Sequence, residues 1–165
     1  MKMYQLRASQ FLPTSMGEAW EFLSDPKNLQ QITPRQMGFR IVSGADRPMY
    51  AGQIIQYRVN PFPGIGTTWV TEITHVEEGV YFVDEQRFGP YALWHHKHFL
   101  YPREGGVIME DVVDYSLPFG LLGQWVHELM VKRRLQAIFR YRAERLKEFF
   151  GHPGNKQESL HLVAL

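Results

Sequence analysis

Residues 80–117 read VYFVDEQRFGPYALWHHKHFLYPREGGVIMEDVVDYSL. Three runs rich in Val, Ile, Tyr, Phe and Trp are separated by Gly89-Pro90 and Gly105-Gly106. Runs of that composition bounded by turn residues read as β-strands. The connections are too short for a helical crossover, so the chain must return on itself in antiparallel hairpins. The spacing predicts strands over about 80–88, 91–102 and 107–117. The same texture extends upstream, with strands predicted at about 38–43, 53–60 and 67–77.

Both flanks of this meander are different. Residues 3–12 alternate loosely and predict one more strand, stopped by Pro13. Ser15 and Glu18 then have the spacing of a capping box, in which hydroxyl and carboxylate satisfy free amides at a helix start. Met16, Ala19, Trp20 and Leu23 follow at helical spacing. Asp25-Pro26 restarts a second short helix, since Asp caps well and Pro suits the first helical position. On the C-terminal side, Trp125, Val131, Leu135, Ile138, Phe139, Leu146 and Phe149 fall on one side of a long helix closed by Gly151 and Pro153. Arg134, Glu144 and Arg145 are predicted on the opposite side. The order is strand, two short helices, six strands and one helix of about 25–30 residues, at the long end for globular helices. This is an α+β class, a curved antiparallel sheet of six to seven strands around a C-terminal helix.

The chain has 165 residues, enough for one ordinary domain. We expect a single ligand-binding domain over 1–153 and a flexible tail over 154–165. Leu160, Leu162, Val163 and Leu165 are the exception to the tail's polarity, an apolar end able to dock elsewhere. The net charge of +1 gives no general pull toward nucleic acid. The basic residues Lys132, Arg133, Arg134, Arg140, Arg145 and Lys147 spread around the helix and read as a solvated face. The absence of cysteine removes disulfides, thiolate metal sites and a cysteine nucleophile. No apolar run approaches the ~20 residues of a membrane span, and no secretory signal is evident. A cytoplasmic protein without stable membrane insertion is expected, its oligomeric state left open.

Two stretches carry a family resemblance. One is Phe22-Leu23-Ser24-Asp25-Pro26-Lys27-Asn28-Leu29, continuing to Ile32-Thr33-Pro34. The other is Phe88-Gly89-Pro90-Tyr91 with Trp94, His96 and His98, leading into Glu110-Asp111, Asp114-Tyr115 and Leu117-Pro118. With the element order, they make the chain resemble the SRPBCC superfamily of lipid-transfer domains, polyketide cyclases and pollen-allergen-type carriers. They look most like its bacterial ligand-binding branch. The resemblance spans residues 6–150 and implies the helix-grip fold with an apolar cavity between sheet and helix. It does not imply a substrate, because the superfamily includes carriers as well as enzymes and fold does not settle function.

Strand alternation places Trp94, His96, His98 and Leu100 on one face and Leu93, His95, Lys97 and Phe99 on the other. Lys97 is costly to bury, so the first set is expected inside. Matching the family pattern puts Met109, Asp111, Val113 and Tyr115 inward from the last strand, and Phe82, Asp84 and Gln86 would then face in from the strand at 80–88. Asp84, His96, His98 and Asp111 would then form a polar cluster. Four uses are open to it. The groups satisfy one another structurally, orient a ligand's polar end, act as an acid–base pair, or bind a metal through the two histidines and a carboxylate.

The expected ligand-binding residues are Tyr57, Trp69, Phe82, Trp94, His96, His98, Met109, Asp111, Tyr115 and Trp125. If there is catalysis, its candidates are His96, His98, Asp111 and Asp84. No cofactor is expected and no metal is assigned. Arg142 lies within the apolar stripe of the long helix and needs a carboxylate or carbonyls, so it reads as a structural anchor. Glu128 is expected nearer the cavity mouth. Phe62 and Ile65, set among Pro61, Pro63, Gly64 and Gly66, form an apolar turn that is either a gate or a stiff connection. A phosphate-binding glycine loop, a nucleophile elbow and a zinc-protease helix motif are all missing from the sequence. The balance favours binding of a lipophilic small molecule over a polyketide cyclase- or dehydratase-type enzyme or a protein-interaction domain.

Overall fold

The structure is a computed structural model that describes residues 2–62, 65–154 and 158–165, with only the backbone described for 61, 62 and 65. The chain forms strand β1 (Tyr4–Leu12), helices α1 (Met16–Ser24) and α2 (Pro26–Leu29), and a 3₁₀ turn at Arg35–Met37. Strands β2 (Arg40–Ser43), β3 (Gln53–Phe62), β4 (Ile65–Glu77), β5 (Tyr81–Phe88), β6 (Leu93–Arg103) and β7 (Gly106–Ser116) follow. Helices α3 (Gly120–Val126) and α4 (Lys132–Phe150) come next, and then a strand β8 (Ser159–Ala164). All eight strands belong to one sheet in the order β2-β3-β4-β5-β6-β7-β1-β8. Every pairing is antiparallel, as the short connections require.

Local chemistry sets the helix starts as expected. The Ser15 hydroxyl accepts from the Glu18 amide at 3.2 Å, and the Glu18 carboxylate accepts from the Ser15 amide at 3.1 Å. Asp25 accepts from the Lys27 amide at 2.9 Å and caps α2. Register shifts in β2–β3, β3–β4 and β4–β5 mark irregularities of the kind that bend a sheet and increase its twist.

The long helix differs from the expectation in one respect. It runs unbroken from Gly120 to Phe150, but His127–Val131 is a π-helical turn between α3 and α4. A π turn inserts a residue and rotates the register of the helix before it. The inner positions of that part are therefore Gly123 and His127. Trp125, expected inward, is 71% exposed. Gly123 has a packing reason, since a Cβ there would sit 2.1 Å from the Pro118 carbonyl oxygen. Phe149, also expected inward, is exposed.

The tail is the second correction. Residues 159–164 are not loose but add a strand to the free edge of β1, pairing Tyr4–Ser9 with Ser159–Ala164. Leu160 and Leu162 lie opposite Ala8 and Leu6 and pack against the core. The turn expected to act as gate or stiff connection, with Phe62 and Ile65, lies outside the residues whose side chains are described.

The helix does not sit over the middle of the sheet. Val131, Leu135 and Phe139 pack on Tyr4 and Leu6 of β1 and Val113 and Tyr115 of β7. Leu146 packs on Leu12, Leu100, Val107 and Met109, with Ala19 of α1 closing that side. The β1–β7 half of the concave face is thus filled solid, and open space lies over β3–β6.

Candidate ligand cavity and its polar corner

That space is a cavity of about 430 Å³, within the ~300–1,000 Å³ range of small-molecule sites. Strand alternation supplies its floor: Tyr57 from β3, Trp69 and Ile73 from β4, Phe82 from β5 and Trp94 from β6. Leu135, Ile138 and Phe139 of α4 form the roof, and Leu23 and Leu29 close one side. Trp69, Tyr91 and Trp94 pack on one another with ring centroids 4.7–5.6 Å apart. Such contacts give the wall a fixed shape. Phe119 and Leu122 also line the cavity and are largely exposed, so they rim its mouth.

Of the expected ligand-binding residues, the cavity brings together Tyr57, Trp69, Phe82, Trp94, His96 and His98, and also lines itself with Asp84. Four others are not in its wall. Met109 is buried beneath α1 and Leu146. Tyr115 is buried under the helix, its hydroxyl hydrogen-bonded to His127 Nε2 at 2.8 Å while Tyr4 stacks on the His127 ring. Asp111 is completely buried behind the histidines. Trp125 faces outward. Alternation chose the correct face of β7, but the helix covers that part of it. Gln86 also departs from expectation: its amide holds the β5–β6 turn, donating to the Tyr91 carbonyl at 2.8 Å.

The polar corner has a definite geometry. Asp84 and His96 are cross-strand partners, as are Phe82 and His98, and as are His98 and Asp111 on the other side. His98 lies between two carboxylates: Nε2–H donates to Asp84 Oδ2 at 2.7 Å, and Nδ1 lies 2.8 Å from Asp111 Oδ1. His96 Nε2–H donates to the same Asp111 oxygen at 3.0 Å, leaving Nδ1 at 3.5 Å from Asp84 Oδ2. Arg142 Nη1 approaches Asp111 at 3.5 Å. The sequence reading of Arg142 as an anchor missed that it also lines the cavity. Arg134, expected on the solvated face, lines it as well, and its guanidinium donates to the Asn60 carbonyl at 3.4 Å. Glu128 is absent from the wall and stands near His127 and Lys132.

Electrostatics divide these groups. Burial pushes Asp111 up, but Arg142 and the two histidines outweigh it and hold its carboxyl well below the usual range. Asp84 is likewise lowered, burial being outweighed by the His98 hydrogen bond and the neighbouring cations. Burial and the His98 charge lower His96. Burial also opposes the charged form of His98, but hydrogen bonds to Asp111 and Asp84 raise it. Two carboxylates are therefore balanced by the His98 imidazolium and Arg142, with His96 neutral. A buried set of charges is tolerable only when balanced in this way.

Solved structures share this architecture. The protein TTHA0849 from Thermus thermophilus superposes with a TM-score of 0.67 at 15% identity, over 88% of this chain and 98% of that one. This is a helix-grip domain. Ara h 8.0201 has the same fold, with a TM-score of 0.59 at 16% identity over 88% and 99% of the two chains. The di-domain ARO/CYC StfQ of the steffimycin biosynthetic pathway matches with a TM-score of 0.63 at 11% identity, over 92% of this chain and 53% of StfQ. At these identities the likeness is one of fold, and it agrees at that level with the SRPBCC resemblance of the sequence. No protein-family model matches the chain, and no curated protein matches it. Among the described residues, no helix of the domain is long and apolar enough to cross a membrane.

Proposed function

We propose that the helix-grip domain binds a lipophilic small molecule with an oxygen-bearing polar end. The observation that carries this reading is the cavity itself, mostly apolar and aromatic in its lining, with Asp84, His96, His98 and Arg142 gathered at one corner. Burial of apolar ligand surface would supply most of the affinity, at ~25 cal/mol per Å² before the costs of association. The corner would set orientation. Arg142 supports this, because its buried Nε–H faces no acceptor among the described residues, and a buried donor without a partner is costly.

The test is displacement of an apolar fluorescent probe, read together with native mass spectrometry of freshly purified protein. We expect one saturable site and a change in tryptophan emission, since Trp69 and Trp94 are in the wall. Ile138→Trp, which fills the cavity from the helix side, should weaken probe binding by at least about tenfold, or ~1.4 kcal/mol. No probe binding and no co-purified molecule would overturn the proposal.

A second reading has one observation in its favour. His96 Nδ1 and the Asp84 carboxylate stand together at the cavity wall, an arrangement suited to moving a proton on a bound keto compound. StfQ, whose fold is shared, is described as an ARO/CYC protein. Turnover of a poly-β-keto compound by wild type, lost in His96→Ala with the fold retained, would establish the cyclase or dehydratase reading. Ligand released unaltered would end it.

A further inference from the structure

We propose that Asp84, His96 and His98 form a binding site for a divalent first-row transition-metal ion at the polar corner of the cavity, with Asp111 orienting both imidazoles. His96 and His98 lie two apart on β6 and present their rings on one face, 3.7 Å between centroids. Asp111 Oδ1 lies 3.0 Å from His96 Nε2 and 2.8 Å from His98 Nδ1. A single carboxylate oxygen that accepts one N–H from each ring fixes which nitrogen of each ring faces away from it. The other nitrogens, His96 Nδ1 and His98 Nε2, then both turn toward Asp84 Oδ2, at 3.5 and 2.7 Å, and in the ion-free protein the His98 nitrogen carries the proton it donates there. A metal ion would replace that proton and sit between the two nitrogens and the carboxylate.

The spacing is within small side-chain shifts of what a metal needs. Ligand atoms about 2.0–2.2 Å from a shared ion are about 3.0–3.5 Å from one another, and one potential donor atom from each of Asp84, His96 and His98 lies within 4.8 Å of the others. Two imidazoles and one carboxylate select zinc, iron, cobalt or nickel over magnesium or calcium, which prefer all-oxygen sites. The backing is also present. A histidine that ligates metal usually gives its other N–H to a carboxylate, and here Asp111 is fully buried with Arg142 beside it. Asp84, His96 and His98 all line the cavity, so the open coordination positions would face the ligand space.

Charge then narrows the ligand class. Asp84, Asp111 and Arg142 together carry −1, so a divalent ion that displaces the His98 proton leaves the corner at +1. It would take an anionic oxygen donor, such as a carboxylate or an enolised diketone, on a lipophilic body. This last step rests on the cavity reading; the ion site does not.

The test uses the full chain after chelator treatment, titrated with Zn²⁺ and Co²⁺ by equilibrium dialysis and followed by proton NMR of the histidine rings. One ion per chain is expected, with Co²⁺ shifting the resonances of His96 and His98 and sparing those of His75, His152 and His161. Asp84→Asn should weaken binding at least about 100-fold. Asp111→Asn, which leaves the three ligands in place, should weaken it about 10–100-fold. Binding that leaves the His96 and His98 resonances unmoved, or no stoichiometric binding by wild type, overturns the site whether or not the variants fold. Probe displacement on the same chelated sample separates the two proposals. Probe binding without ion binding removes the ion site alone, and loss of both removes the cavity reading too.

Discussion

Replacing Asp111 with Ala should lower the melting temperature of the metal-free protein by roughly 10–15 °C, from a loss of about 3–5 kcal/mol. Asp111 is completely buried and lies against three groups at once: His96, His98 and Arg142. Removing it leaves Arg142 buried without its carboxylate and takes from His98 one of the two acceptors that hold its charge. Breaking one side of a buried ion pair costs far more than the pair is worth, because the surviving charge stays out of water. The double change Asp111→Leu with Arg142→Met removes both charges and should recover part of the loss, Asp84 alone then balancing His98. Thermal unfolding followed by circular dichroism measures all three proteins. A single-variant melting temperature within about 2 °C of wild type would show that the cluster is not a charge-balanced unit.

Truncation after Gly154 should also destabilise the fold, by about 2–3 kcal/mol and several degrees. Strand β8 covers β1 over six paired positions, and the Leu165 amide donates to the Met3 carbonyl at 3.0 Å. Leu160 and Leu162 are half-buried against the cluster of Leu6, Val113 and Leu135, and their loss returns apolar surface to water. Glu158 also pairs with Lys147 of α4 at 2.9 Å, a contribution that solvent keeps small. Beyond the melting temperature, β1 would present an unpaired edge, and unpaired edges recruit other chains. Concentration-dependent aggregation of the truncated protein, absent in the full chain, is the second readout. A truncated protein with unchanged melting temperature and monodisperse light scattering would show that β8 adds nothing to the domain.

The sequence by itself determined the parts of this protein that depend on neighbours along the chain. Capping at Ser15 and Asp25, the hairpins closed at Gly89-Pro90 and Gly105-Gly106, and the period of Val131, Leu135, Phe139 and Leu146 all follow from bonds and burial within a few residues. Alternation also assigned His96 and His98 to the inner face, because a strand gives a side chain only two directions. Contacts between distant segments were out of reach. Nothing near Ser159–Ala164 reveals that its partner is β1, at the other end of the chain. The π turn at His127–Val131 rotated Trp125 outward, and a strict 3.6-residue period cannot show it. Only the tertiary structure decided where on the concave face the helix lies. By packing over β1 and β7 it buried Met109, Asp111 and Tyr115 beneath it, and left a cavity between itself and β3–β6. The physical reason is that alternation fixes the side of a sheet, whereas packing between elements fixes which part of that side stays open.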